Sequence, residues 1–143
     1  DPEHSGINLF DNNWKIYSRN SGMTGHKISA SADVHDSMIT DGCRIKGTVK
    51  HSVLFAGVKV AEGAVVEDAV VMGGTTIERG AVVRHCIIAE NVTIKENAVV
   101  GAMPEGDEHG VATVGSGITI GEGAVIGPKA MVRNNVKGGE EQW

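Results

Sequence analysis

The chain has 143 residues, a net charge of −5 and only 3% aromatic residues, although 41% of its residues are hydrophobic. This length suits one domain, the small acidic surplus argues against broad nucleic-acid binding, and the sequence has no run of about 18 apolar residues to span a membrane. Cys43 and Cys86 are too few for a disulfide framework, so we expect a reducing, cytoplasmic location.

Residues 1–27 do not repeat and are predicted to form an N-terminal arm or interdomain linker. The stretch NLFDNNWKIYSRN holds Phe10, Trp14 and Tyr17, three of the five aromatic residues of the chain. Large aromatic side chains in such a segment favour a surface on which to dock. The arm could pack along the coils that follow, anchor against a neighbouring domain, or do both. Because the chain begins with Asp1 and not with Met, we expect it to be a piece of a larger protein.

From Asp36 onwards the sequence repeats itself. Successive coils start at Asp36, His51, Asp68 and His85; the last three starts are evenly spaced, whereas the first coil is two residues shorter. Large aliphatic residues recur about every six positions, which fits neither a helix nor one long alternating strand. Gly or Asn recurs where a tight corner needs a positive φ. The pattern predicts an all-β solenoid with three short strands in each coil and a continuous aliphatic core.

The repeat is predicted to extend over residues 28–136 with one interruption. The stretch GAMPEGDEHGVAT, residues 101–113, is rich in turn-forming and acidic residues, and the six-residue interval resumes at Val114. Solenoids accept insertions on one face, so we expect a surface loop here. Residues 137–143 are predicted to be a C-terminal tail.

Candidate catalytic and metal-binding residues are few. His51 and His85 share a column with Asp36 and Asp68, which indicates polar corner positions. Because they stand two coils apart, about 9–10 Å by strand spacing, one zinc ion with ligands at about 2 Å cannot join them, and no metal site is expected. His109 lies in the inserted loop and is the candidate general base of an acyltransferase.

The two cysteines, Cys43 and Cys86, fall in columns of small or apolar residues and are interpreted as structural. The sequence contains neither G-x-x-x-x-G-K-[ST] nor a G-x-G-x-x-G that opens a helix, so no phosphate-cradling glycine loop is predicted. No pair of carboxylates can be argued for general acid–base catalysis.

Arm and coils together resemble one family. LFDNNWKIYSRN is similar to the segment that links the catalytic and C-terminal domains of bacterial ADP-glucose pyrophosphorylases (glucose-1-phosphate adenylyltransferases). The coils from GTVKHSVLFAGVKVAEGAVVE onwards resemble the C-terminal β-helix of that family, and the likeness covers roughly residues 7–136. The resemblance implies a left-handed parallel β-helix of hexapeptide repeats.

The resemblance also implies a function. The family makes ADP-glucose and pyrophosphate from ATP and glucose 1-phosphate with Mg²⁺, for glycogen or starch synthesis, in an N-terminal domain that this sequence lacks. The chain is therefore expected to hold no catalytic residue and no cofactor, and to contact its own catalytic domain and the other subunits of a tetramer. Effectors of the family bind near the junction of the two domains. Arg19 and Lys27 fall there and are candidate contacts for an anionic sugar phosphate, although SGMTGHKI lacks the paired prolines often found before the first coil.

Three alternatives stay open. The parent protein is either the catalytic subunit or a regulatory paralogue whose active site is degraded. The β-helix could be a scaffold with no effector site. From another class of protein, a stand-alone, trimeric hexapeptide acyltransferase with His109 as base would show the same repeat.

Overall fold

The computed structural model describes residues 6, 11–15, 17, 20–106 and 110–143, and every regular element in these ranges is a β-strand. The strands are β1 (Lys27–Ile28), β2 (Asp33–His35), β3 (Met38–Ile39), β4 (Arg44–Ile45), β5 (Thr48–Lys50), β6 (Val53–Leu54), β7 (Lys59–Val60), β8 (Val65–Val71), β9 (Thr76–Ile77), β10 (Val82–Ile88), β11 (Thr93–Ile94), β12 (Val99–Val100), β13 (Ala112–Val114), β14 (Thr119–Ile120), β15 (Val125–Ile126), β16 (Met131–Val132) and β17 (Glu141–Gln142). No helix in this part of the chain is long and apolar enough to cross a membrane.

Each strand pairs in parallel with its equivalent in the next coil. Val60 stands opposite Ile77 and Val66 opposite Val83, so the register of the strands equals the length of the sequence repeat. The strands form a six-stranded and an eleven-stranded sheet, and together they build a solenoid of about seven turns. The predicted all-β class and parallel β-helix are confirmed.

The solenoid has three faces. The six-stranded sheet forms one of them, and the eleven-stranded sheet bends over a corner and forms the other two. Face 1 consists of β1, β4, β7, β9, β11 and β14. Strands β8 and β10 turn a corner at Asp68 and His85, and their first halves belong to face 2 with β2, β5, β12, β15 and β17. Their second halves belong to face 3 with β3, β6, β13 and β16. Each coil therefore contributes three short strands, as the six-residue period predicts.

The core is a stack of aliphatic side chains along the axis. On face 1 the inward positions of five successive coils, all at most 1% exposed, are Ile45, Val60, Ile77, Ile94 and Ile120. Burying one such side chain stabilises the fold by roughly 1.5–3 kcal/mol. Because each coil covers its neighbour, the core runs from end to end without large aromatic residues.

Residues with a positive φ occupy all three corners of the coils. Glycine or asparagine supplies the positive φ at two of them, as predicted, for instance at Gly74 and Asn91. At the third corner Asp36, His51, Asp68 and His85 adopt φ values of 43°, 45°, 51° and 43°. The sequence predicts the column but not this conformation, which Asp and His accept more readily than most residues.

The short first coil has a specific cause. Only three residues separate the buried Ile45 from the buried Val49, whereas five separate Val60 from Val66 in the next coil. The tight corner brings Gly47 against that coil, where an added Cβ would clash with the carbonyl oxygens of Ala61 and Ala64. Only glycine fits this close approach.

The insertion lengthens one coil. Cys86 pairs with Ala69 in the coil before it and with Ala112 in the coil after it. More residues separate Cys86 from Ala112 than separate Ala69 from Cys86, so the coil that contains the insertion is the longer one. Strand β13 starts at Ala112, so the last two residues of the predicted 101–113 loop, Ala112 and Thr113, form part of a strand. The predicted tail also contributes, because β17 pairs with β15 and extends the solenoid into residues 141–142.

The arm joins the first coil at a corner beside face 3. Gly42 donates its backbone N–H to the Thr24 carbonyl at 2.7 Å, and the Met23 side chain lies over Gly42. Further back, Trp14 and Tyr17 are 73% and 86% exposed. Packing of the arm along the coils and anchoring of these side chains against another domain both stay predictions. Phe10 lies outside the described residues.

Candidate functional site

Three cations stack on the outer surface of face 1. Lys27 stands opposite Arg44, and Arg44 opposite Lys59, on the adjacent strands β1, β4 and β7. All three are exposed, and neighbouring strands lie about 4.8 Å apart. Like charges directly opposite each other in a sheet are destabilising. Further along the solenoid the same column continues without charge, as Thr76, Thr93 and Thr119.

A groove of about 370 Å³ opens beside this ladder. Its lining residues come from four coils and are Arg44, Lys46, Lys59, Val60, Ala61, Thr76, Ile77, Glu78, Arg79 and Glu96. Since Val60 and Ile77 point their side chains into the core, the groove has the sheet backbone beneath it and polar side chains around it. We refer to it as the face 1 groove.

Charge is distributed unevenly in the face 1 groove. Arg44, Lys46 and Lys59 supply three cations at the end nearest the arm. At the other end Glu78 accepts a hydrogen bond from Lys95 Nζ at 2.8 Å, and Glu96 lies 4.0 Å from Arg79. One end is therefore strongly positive, and the other offers carboxylate oxygens whose charge is already balanced.

Other cations of the solenoid are paired between coils. Lys50 Nζ lies 3.5 Å from Asp33, and Arg84 Nε lies 3.2 Å from Glu67. The pKa of Asp33 is lowered, first by its hydrogen bond with His35 and to a smaller extent by the charges of His35 and Lys50.

In the part of the chain that the structure describes, the face 1 cations differ from these. Lys27, Arg44, Lys46 and Lys59 form no ion pair there. Among the described residues, the fold thus pairs several cations between coils and leaves those at the arm end of face 1 without an acidic partner.

A short corner at Gly47 borders the groove. The corner after Val60 has four residues, from Ala61 to Ala64, but the corner after Ile45 lacks two of them. The chain therefore turns within fewer residues beside Lys46, and Gly47 lies against the backbone of Ala61 and Ala64. Lys46, in this short corner, and Glu78 and Arg79, in the full-length corner two coils further on, all line the groove.

Of the two predicted effector contacts, the structure describes one. Lys27 is exposed at the first position of the ladder, whereas Arg19 lies outside the described residues, so their proximity stays a prediction. Sequence reasoning missed Arg44, Lys46 and Lys59. The signal was present, because Lys27, Arg44 and Lys59 each directly precede a buried-column aliphatic residue at the coil spacing.

The histidine column has a mixed environment. His51 is exposed and its Nδ1 contacts Asp68 of the next coil, as a solvated corner position predicts. His85 is half-buried, and its Nε2 is fully buried without a hydrogen-bond partner, which the prediction of a solvated corner did not anticipate. Gly101, where the inserted segment begins, lies against Arg84 and Cys86 and helps to cover this corner. His109 lies outside the described residues.

The cysteines behave as core residues. Cys43 and Cys86 are 0% and 2% exposed, and both are free thiols. Burial raises the pKa of Cys43, and it raises the pKa of Cys86 to about 12. Both cysteines thus lie at the inward positions that their columns predict, and a raised pKa does not favour a nucleophilic role. Among the described residues no group of three His, Cys, Asp or Glu side chains is arranged to hold a metal ion.

Sequence relatives match the coils strongly but only over part of their length. The glucose-1-phosphate adenylyltransferase of Geobacillus stearothermophilus is 46% identical over 65 residues, which is 46% of this chain and 17% of that protein. The enzyme of the same name from Bacillus mycoides is 48% identical over 67 residues, 47% of this chain and 18% of that protein. The match thus spans less than a fifth of these relatives, in their C-terminal part.

Solved structures share the fold at low sequence identity. The acetyltransferase domain of PglB from Neisseria gonorrhoeae, in complex with acetyl coenzyme A, superposes with a TM-score of 0.58 and 20% identity over 83% of this chain and 54% of that one. PerB from Caulobacter crescentus, in complex with coenzyme A and GDP-perosamine, gives a TM-score of 0.56 and 19% identity over 81% of this chain and 52% of that one. The family model described as "GlmU-like, C-terminal hexapeptide" matches residues 22–121, more than half of the chain. The chain therefore belongs to the GlmU-like C-terminal hexapeptide family.

Proposed function

We propose that the chain is the C-terminal β-helix domain of a glucose-1-phosphate adenylyltransferase or of its regulatory paralogue. The 46–48% identity of the coils to enzymes of that name carries the proposal. The parent protein would make ADP-glucose and pyrophosphate from ATP and glucose 1-phosphate in glycogen synthesis. Mg²⁺ is expected for that reaction in the catalytic domain of the parent protein. A cytoplasmic location stays a prediction.

Assembly is the first role of the domain in this proposal, and face 3 supports it. Its outward ladder is almost entirely apolar and carries no charge; in order it comprises Met38, Val53, Val70, Ile87, Thr113 and Met131. Met131 is 64% exposed, and the flanking Phe55 is 47% exposed. A straight apolar stripe of this kind can meet the same stripe of a second copy across a two-fold axis.

Allosteric coupling is the second role. Lys27 stands where the arm meets the first coil, and Arg19 precedes it by eight residues in the sequence. Both are proposed to contact an anionic effector at the junction with the catalytic domain. The unpaired cations that follow Lys27 along face 1 support an anion-binding function on this side of the solenoid.

The enzymatic test uses the complete gene product that contains this chain. We expect it to form ADP-glucose from ATP and glucose 1-phosphate with Mg²⁺, alone if it is the catalytic subunit, or by altering the kinetics of a catalytic partner if it is the regulatory one. A product that neither forms ADP-glucose nor binds and alters such a partner would contradict the proposal.

A stand-alone acyltransferase is the second candidate function. The fold shared with acetyltransferase structures that bind coenzyme A favours it. That enzyme would bind acetyl coenzyme A and would lose acetyl transfer on substitution of His109 by Ala. The adenylyltransferase domain would do neither, so calorimetric titration with acetyl coenzyme A separates the two proposals.

A further inference from the structure

We propose that Met131 is a reversible oxidation site on face 3, and that the guanidinium of Arg133 beside it promotes conversion of the thioether to the sulfoxide by a hydroperoxide. Oxidation itself is a property of this chain. Its consequence, a weaker contact between copies, rests on the assembly role that the proposed function gives to face 3.

Met131 is more accessible than the other four methionines of the chain. It is 64% exposed, and the next most exposed methionine, Met23, is 50% exposed and has its sulfur against Gly42 and Gly57. Among the strands that the structure describes, β16, which contains Met131, pairs with β13 alone, so it forms an open edge of face 3. Because oxidation of a thioether follows its exposure, a dissolved oxidant reaches Met131 first.

A contact with Arg133 sets Met131 apart from the other exposed methionines. Arg133 Nη2 donates a hydrogen bond to Met131 Sδ at 3.1 Å. The two residues are two positions apart in extended chain, so their side chains stand on the same face. Within the described ranges the guanidinium forms no ion pair with a carboxylate. Its charge is therefore directed at a thioether, which is only a weak hydrogen-bond acceptor.

The reaction is a two-electron oxidation of sulfur. The sulfur lone pair of Met131 attacks the terminal oxygen of the hydroperoxide, an S–O bond forms and the O–O bond breaks. The proton of the transferred oxygen passes to the leaving oxygen, which becomes water or an alcohol, so the sulfur is oxidised and the peroxide is reduced. Negative charge develops on the oxygen atoms in the transition state, and the guanidinium of Arg133 stabilises it. In the product the same N–H group can donate to the sulfoxide oxygen in a charge-assisted hydrogen bond.

The place of Met131 in the fold gives the modification its consequence. Met131 pairs with no strand beyond β13 and ends the apolar ladder of face 3, next to Thr113. Oxidation turns this flexible apolar side chain into a polar one. Covering an unpaired polar group costs free energy, so oxidised chains should associate less tightly through face 3. Methionine sulfoxide reductases restore the thioether, which makes the change reversible.

A time course with hydrogen peroxide, followed by peptide mass spectrometry, tests the site on the 143-residue chain. We expect the sulfoxide of Met131 to form faster than that of every other methionine. Arg133→Gln should slow oxidation of Met131 by about two- to fivefold, the range that one exposed charge contributes. Met38 and Met103 are references within the same molecule, and their rates should not change. The control Lys137→Gln removes the same charge at another exposed position and should leave the rate at Met131 unaltered.

Two results would overturn the site. One is an equal rate of oxidation at Met131 and at the other methionines. The other is a rate at Met131 that stays the same or rises in Arg133→Gln. Arg133 and Lys137 are both exposed, so we expect both variants to fold, and a circular dichroism melt verifies this.

The consequence is tested on the complete gene product by light scattering coupled to gel filtration. Peroxide should lower the mass of the assembled protein, a methionine sulfoxide reductase should restore it, and Met131→Leu should resist the change. Oxidation of Met131 without a loss of mass, or an equal loss in Met131→Leu, would overturn the consequence for assembly. A gene product that is monomeric before treatment would contradict the assembly role in the proposed function alone, because selective oxidation of Met131 is measured on the 143-residue chain.

Discussion

At the scale of single residues, close approaches between coils decide which side chains are allowed. Gly47 is required not for its φ but because the carbonyl oxygens of Ala61 and Ala64 occupy the space of a Cβ. Cys86 fills a slot that Ala69 and Ala112 fill in the neighbouring coils, and its thiol is held neutral by burial. Both positions follow from the spacing of the coils and yield predictions.

Gly47→Ala should destabilise the fold by about 1–3 kcal/mol, because the new methyl group would force the short corner away from the next coil. Thermal or urea denaturation followed by circular dichroism measures the loss. Gly25→Ala is the matched control, since nothing lies within 4 Å of its added Cβ and its φ is not positive. Equal stability of the two variants would contradict the role assigned to Gly47.

Cys86 should make the fold sensitive to alkali. The pKa of its thiol is raised from 9.0 to about 12 in the folded chain. The unfolded chain therefore loses its proton first, and stability falls as pH rises from about 9 towards 12, by roughly 1.4 kcal/mol at pH 10. Urea denaturation at pH 7 and pH 10 should show this extra loss for the unaltered chain but not for Cys86→Ala. A parallel pH dependence in both proteins would show that Cys86 titrates normally.

At the scale of the strands, face 1 changes character along the axis. Strands β1, β4 and β7 begin with Lys27, Arg44 and Lys59, whereas β9, β11 and β14 begin with threonine. Threonine suits an outward strand position and carries no repulsion. The three cations therefore reduce stability, which is the usual signature of a surface kept for binding.

Lys59→Thr should stabilise the chain by roughly 0.2–1 kcal/mol at low ionic strength, because one member of the repelling ladder is removed. Added salt should shrink the gain, since screening weakens the repulsion in the unaltered chain. Lys50→Thr is the comparison: Lys50 pairs with Asp33, so its removal should give no gain. Melting temperatures at low and at high salt concentration measure both, and a loss of stability in Lys59→Thr would contradict the repulsion argument.

The elements themselves were largely predictable from the sequence. Equivalent positions of successive coils hold chemically similar residues, because every coil must match its neighbours. This similarity predicts the coils, their register and the buried aliphatic positions such as Ile77 and Ile94. The strands at Ala112–Thr113 and Glu141–Gln142 were less predictable from the sequence. They form because they pair with β10 and β15, and this pairing is not visible in the local sequence pattern. The face 1 groove was not predictable in this way, because its lining residues come from four coils and only the stacking of the coils brings them together.

At the scale of the whole molecule, the two surfaces with unusual composition lie on different faces. Face 1 carries Lys27, Arg44 and Lys59, which form no ion pair among the described residues, and face 3 carries the apolar ladder from Met38 to Met131. On separate faces, the proposed contact with another copy would not compete with the proposed contact of an anionic effector. In the arm, Trp14 and Tyr17 are also largely exposed.

Assembly through face 3 should be sensitive to charge. Ile87→Lys places a cation in the middle of the apolar ladder and should lower the mass of the assembled protein, measured by light scattering coupled to gel filtration. Thr93→Lys, a half-buried outward position on face 1, should leave the mass unchanged. An unchanged mass in Ile87→Lys would exclude face 3 as the interface.

The central claim is that this β-helix serves a nucleotidyltransferase domain in the same polypeptide. Sequencing the coding DNA upstream of Asp1 tests it most directly. The account predicts an open reading frame for a nucleotide-binding domain, with an intact Gly-rich loop in a catalytic subunit or an eroded one in a regulatory paralogue. A start codon directly before Asp1 would contradict the account and favour the stand-alone acyltransferase.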